Sequence, residues 1–139
     1  MRKALEQKLV ERWPLWFNTG GDVHHTLMSL GFRHDDGWFD IIWRLCGDLE
    51  PLVAAFEQGA PGRQFEILEV KEKFGGLRIH MNYSNDAIRR RILVAERESF
   101  RTCEVCGQRG KWRGGDWIKT LCDEHDASQR TNERGRGGR

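Results

Sequence analysis

The stretch CEVCGQRGKWRGGDWIKTLCDEH, residues 103–125, sets Cys103, Cys106, Cys122 and His125 in the pattern C-x2-C-x15-C-x2-H. Two close pairs, separated by a spacer long enough to fold back on itself, is the spacing of a tetrahedral zinc site. A two-residue gap lets one tight turn aim two side chains at one ion, and Gly107 fits a knuckle whose backbone takes positive φ. The spacer predicts a short hairpin. Lys111 and Trp112 lead into Gly114 and Gly115 as turn residues, and Trp117, Ile118 and Leu121 form the returning strand. Cys122 to His125 then opens a polar helix running over Asp126 to Glu133, with acidic residues in its first turn where the helix dipole favours them. Knuckle, hairpin, then a helix whose first turn brings the last two ligands is the order of a treble-clef finger; a zinc ribbon, with the second pair on another knuckle, is the alternative. Four protein ligands close the shell and leave no position for a reactive water, so the cofactor expected is one structural Zn2+.

Around this motif lies a chain of 139 residues, enough for one domain with a real core. Six Trp and seven Phe within a 38% hydrophobic fraction fit a globular fold, and 32% charged residues fit a water-exposed surface. No apolar run is long enough to span a membrane. Met1 to Trp13 alternates charged and apolar residues, unlike a signal peptide. Three of the four cysteines belong to the motif and Cys46 stands alone, which argues against a disulfide framework and for a reducing cytoplasm. Residues 1–88 carry ten Lys+Arg against 13 Asp+Glu, whereas residues 89–139 carry 13 against eight, so the basic half is the half with the metal motif. Three thiolates around Zn2+ remove one unit of that excess.

Upstream, Arg2 to Phe17 reads as a helix with Leu5, Leu9, Trp13 and Trp16 on one side, ended or kinked by Pro14, and Val23 to Leu30 reads as a short helix closed by Gly31. Asp35 and Asp36 are placed to cap the longest helix, in which Trp38, Ile41, Ile42, Leu45, Leu49, Leu52, Val53 and Phe56 keep the i, i+3, i+4, i+7 rule, with Pro51 bending or dividing it. Phe65 to Lys73 and Leu77 to Tyr83 form two strands joined at Phe74-Gly75-Gly76, and the adjacent Ile67 and Leu68 suggest a bulge. Asn85 or Asp86 caps a helix over Ala87 to Phe100 that turns Ile88, Ile92, Ala95 and Ser99 inward. The fold expected is therefore α+β: a body over 1–101 with helices packed on a small antiparallel hairpin, a zinc finger over 102–133 docked on it without a linker, and a disordered Arg/Gly tail over 134–139.

The strings DGWFDIIWRLC (36–46), VKEKFGGLRIH (70–80) and the ending TCEVCG to LCDEH resemble a family of small, uncharacterised proteins of bacteria and their phages. The resemblance spans residues 36–125. It implies a prokaryotic or phage source and the cytoplasm of a bacterial host cell, and carries no activity with it.

Catalysis requires converging groups. His24 and His25 beside a metal finger suggest an HNH-type treble-clef nuclease, but the finger's own hairpin carries Trp112 and Trp117 where a histidine is required. His34-Asp35-Asp36 is explained as a turn and cap, His80 as the wet face of a strand, and Cys46 as a buried small hydrophobe. Lys73 to Leu77 lacks phosphate-loop spacing. The expectation is a non-enzymatic protein with no small-molecule substrate and no membrane, and two partner classes. In the first, Arg109, Lys111, Arg113 and Lys119, with Arg89, Arg90 and Arg97 of the preceding helix, form a basic face interleaved with Trp112 and Trp117 that grips nucleic acid. In the second, the partner is a protein of a nucleic-acid-handling or defence complex, as for a phage-encoded inhibitor of a host protein.

Overall fold

The computed structural model describes residues 1–129; the Arg/Gly tail and the far end of the helix expected to reach Glu133 lie outside them. Helix α1 spans Lys3–Arg12 and ends at Trp13, four residues short of Phe17. Pro14 is the reason, because its ring pushes the preceding residue out of the helical region. Val23 to Leu30 does not form the expected helix; only a 3-10 turn at Met28–Leu30 appears, closed by Gly31 at φ 80°. The backbone here serves a neighbouring strand instead. Leu27 N–H donates to Leu68 O (2.8 Å), Arg33 N–H to Val70 O (3.0 Å) and Glu72 N–H to Arg33 O (2.9 Å). A helix would spend those groups internally, so tertiary pairing overrides the local pattern.

Helix α2 runs unbroken over Phe39–Gly59 with Pro51 inside it. Of the bend or division expected at Pro51, the division does not occur. Pro51 crowds the carbonyl four residues back, which belongs to exposed, side-chain-free Gly47, and buried Ile41, Ile42, Leu45, Cys46, Leu49 and Val53 hold both halves to one core. Each fully buried Leu or Ile of that stripe contributes about 2 kcal/mol. Neither aspartate caps the helix by its side chain. Asp36 accepts from Arg2 N–H (2.8 Å) and pairs with the Arg2 guanidinium (2.6 Å), and Asp35 N–H donates to Glu104 Oε2 (3.1 Å).

Strands β1 (Ile67–Lys73) and β2 (Gly76–Met81) pair antiparallel from Lys73↔Gly76 to Ile67↔Met81, with the expected bulge between Ile67 and Glu69. Their two-residue turn is Phe74-Gly75, both at positive φ (52° and 84°), as a type I′ turn requires. Phe74 is the one non-glycine residue with positive φ among the described residues, a conformation costing about 1 kcal/mol for a side chain of this kind. Helix α3 (Asp86–Ser99) is capped by the Asn85 carboxamide, which accepts from Ile88 N–H, and buries Ile88, Ile92, Ala95 and Ser99 as the spacing predicts. It also closes the edge of β2. Ser99 Oγ accepts from Leu77 N–H (2.9 Å) and Glu96 Oε2 from Ile79 N–H (3.1 Å), so no further strand can add there.

The chain ends in a second hairpin, β3 (Lys111–Arg113) with β4 (Lys119–Leu121), and a helix α4 (123–129). Trp117 and Ile118 lie in the connection rather than in the returning strand. The described residues form four helices and two small antiparallel hairpins, so the fold is α+β. This C-terminal part packs directly on the body. Gly37 N–H donates to Glu104 O (2.7 Å), Trp38 Nε1 to Thr102 O (2.9 Å), Trp112 Nε1 to Phe74 O (3.0 Å) and Thr120 Oγ1 to Gly75 O (2.6 Å). Gly37 is indispensable to the contact, since a Cβ there would lie 2.1 Å from Cys103 O. Among the described residues no helix is long and apolar enough to cross a membrane.

Candidate metal centre

Cys103 and Cys106 sit on a turn in which Gly107 N–H donates to Cys103 O (2.9 Å), Cys103 N–H to Gln108 O (2.7 Å), and Gly107 takes φ 79°. The positive φ foreseen at Gly107 is what allows so tight a knuckle. Cys122 follows β4 directly, and His125 lies in the first turn of α4, where Asp126 N–H donates to Cys122 O (2.9 Å). The hairpin thus carries the second pair back over the first.

The four ligand atoms all fall within 4.8 Å of one another. Sγ of Cys106 and Cys122 are 3.8 Å apart, Cys103 Sγ and His125 Nδ1 3.7 Å, and Cys122 Sγ and His125 Nδ1 3.2 Å. For a tetrahedron with the usual Zn–S and Zn–N lengths, the edges are about 3.8 Å between sulfurs and about 3.6 Å between sulfur and nitrogen. The cluster is therefore compatible with one zinc ion, and its sulfurs stand far beyond disulfide distance. His125 N–H also points at Cys122 Sγ (3.4 Å).

Two thiols of the cluster are shifted in opposite directions. Burial raises the Cys103 thiol, but backbone amides of Cys122, Cys106 and Val105 outweigh it and hold the thiol below its ordinary value. Cys106 moves the other way, to about 11, through desolvation and the neighbouring sulfurs of Cys103 and Cys122. Without a cation the sulfurs compete for protons; a divalent ion at the centre reverses that.

Behind the knuckle, Glu104 is 2% exposed. Its Oε1 meets Lys119 Nζ at 3.3 Å, and Lys119 also approaches Glu72 of β1 (3.6 Å). Burial raises the Glu104 carboxyl and works against the Lys119 ammonium, which Glu104 and Glu72 nonetheless keep charged. Glu104 gives no sequence signal beyond its place between two ligand cysteines.

The other residues singled out as partner-binding fall into three groups. Arg113 is committed inward, with its guanidinium donating to Leu121 O, Asp123 Oδ1 (2.8 Å) and Asp126 Oδ2 (3.1 Å), and Lys119 is committed to the carboxylates just named. Arg89, Arg90 and Arg97 are exposed on α3, Arg89 beside Asp86 one turn back. Arg109 and Lys111 are exposed on the finger, where Trp112 and Trp117 keep 51% and 48% of their surface in solvent. Phe74, 64% exposed, joins them through the Trp112 bond to its carbonyl. Sequence reasoning overlooked it, although a phenylalanine where an I′ turn asks for Asn is a legible anomaly.

Comparison with protein-family models, with curated proteins and with solved structures gave no match.

Proposed function

We propose that this is a non-enzymatic, cytoplasmic binding protein whose C-terminal part is a treble-clef-like finger holding one structural Zn2+ through Cys103, Cys106, Cys122 and His125, and whose target is nucleic acid or a complex that handles it. Four protein donors complete the tetrahedron, so the ion would cross-link the knuckle to β4 and α4 and leave no coordination position for a substrate. The observation that carries the binding role is the finger face itself. Trp112 and Trp117 keep about half their surface in solvent, and Arg109 and Lys111 of the same short segment are exposed and form no ion pair among the described residues. Exposed rings and exposed cations within one short segment suit bases and phosphates.

The test is binding of the zinc-loaded protein to labelled single- and double-stranded nucleic acid across a salt series. Affinity falling linearly in a log–log plot supports phosphate contact and its slope counts the phosphates. A protein target, as for a phage-encoded inhibitor, has one observation in its favour: Leu93 (41% exposed) and Val94 (55%) interrupt the arginines of α3. Binding through that face would be weakly sensitive to salt.

A further inference from the structure

The turn at the tip of the β1–β2 hairpin holds a side chain that works against its own fold. Phe74 occupies the left-handed region at φ 52°, where Asn or Gly rests without strain. Its ring is 64% exposed, and the group recorded over it is the Lys73 ammonium, 5.8 Å from the centroid. Little apolar surface is buried in exchange for the strain, and strain without structural return marks a functional position. Facing Phe74 is a groove of about 390 Å³ whose lining includes Lys73, Asp116, Trp117 and Ile118. Trp117 is 48% exposed and carries the Lys119 ammonium 5.7 Å from its ring centroid.

The two aromatic rings belong to different hairpins, and those hairpins are bonded to each other. Trp112 Nε1 donates to Phe74 O, Thr120 Oγ1 donates to Gly75 O, and a Cβ on Gly75 would strike Trp112 at 2.9 Å. The hairpins that carry the two rings cannot part without breaking these bonds.

We infer that the Phe74–Trp117 groove receives an unpaired base of a single-stranded nucleic acid. This rests on the nucleic-acid role proposed above and specifies it. Every base has a planar face for the two aromatic rings, while Glu72 and Asp116 in the lining offset Lys73 and Lys119, so the groove has no net charge and suits an uncharged guest. A phosphate beside that base then lies outside, against Lys73, which is exposed at the rim and forms no ion pair among the described residues. A duplex cannot enter, because its bases are already stacked and paired.

The experiment measures fluorescence anisotropy of a short labelled oligonucleotide and of its duplex with the zinc-loaded native protein, Phe74→Asn, Phe74→Trp and Trp117→Ala, with a melting curve for each. The native protein is expected to prefer the single strand. Phe74→Asn should weaken single-strand binding about tenfold by loss of one stacked base. The same variant should melt about 3 °C higher, by release of turn strain. Phe74→Trp should keep the affinity. Opposite signs in affinity and stability are the signature, since a merely structural ring would lower both. Single-strand affinity unchanged within about twofold in Phe74→Asn and Trp117→Ala overturns the inference while leaving salt-dependent phosphate binding intact. A lower melting temperature for Phe74→Asn overturns it too. A native protein that binds no oligonucleotide overturns both this and the parent reading, and a protein side chain becomes the occupant.

Discussion

The two hairpins of this protein are built alike and held differently. β1–β2 joins its strands through two residues, lays Val70, Leu77 and Ile79 into the core, and has its free edge capped by α3. β3–β4 has three-residue strands and a five-residue connection, and its buried residues are Thr120 and Leu121. So short a pairing cannot stand by itself in water. The first hairpin lives on burial, the second on cross-links: the Cys/His cluster, the Arg113 bonds across to α4, and the Lys119–Glu104 pair. Secondary structure of one kind can thus depend on two unrelated sources of free energy within one chain.

That contrast can be broken from either side. The largest effect should come from the metal. Structural zinc in isolated fingers is worth about 10–16 kcal/mol of binding free energy, so Cys106→Ala or a strong chelator should abolish zinc content and open β3–β4 to amide exchange while α2 stays protected. Unchanged zinc content after Cys106→Ala would remove this residue from the ligand set. Next, Leu45→Ala, at a fully buried position of α2, should cost about 3 kcal/mol in denaturant unfolding and leave zinc stoichiometry unchanged. A loss of metal in that variant would mean the two regions are one cooperative unit.

Two finer probes test the joint and the body. Lys119→Ala strands a carboxylate that is 2% exposed and should cost about 2 kcal/mol, seen as a lower unfolding midpoint. His34, 5% exposed with Nε2 unpartnered, is held neutral by burial, and its pKa falls from 6.5 to about 4. The folded form therefore binds its proton more weakly than the unfolded form. Stability from this group is complete above pH 6.5 and is lost as pH falls from 6.5 towards 4. His34→Leu should flatten that part of the stability profile against the native protein, which separates His34 from the acid sensitivity of the metal ligands. Smallest of all, Arg89→Ala removes an exposed pair with Asp86 and should shift stability by no more than a few tenths of a kcal/mol.

What the sequence disclosed follows the reach of its signals. The Cys/His spacing foretold that Cys103, Cys106, Cys122 and His125 come together, and the repeats of α2 and α3 named their buried residues, because both are written within a few turns of chain. Segment 14–38 was illegible for the opposite reason: its backbone groups are spent on β1, some forty positions away, and no local pattern records that. Charge counting located a basic half but could not tell Arg113 and Lys119, which hold the finger together, from Arg109 and Lys111, which face solvent. Only the fold separates an arginine that binds a neighbour from one that faces solvent.

The close approach of Gly37 to the knuckle makes this finger a poor candidate for transplantation. Cys103 O and Glu104 O lie where a side chain at position 37 would be, and the Glu104 carbonyl is already spoken for by the Gly37 amide. A graft of residues 102–129 onto another scaffold would carry the whole Cys/His cluster and still arrive incomplete, since part of its wall is the turn that leads into α2. In this chain, the smallest inheritable unit is larger than the motif that announces it.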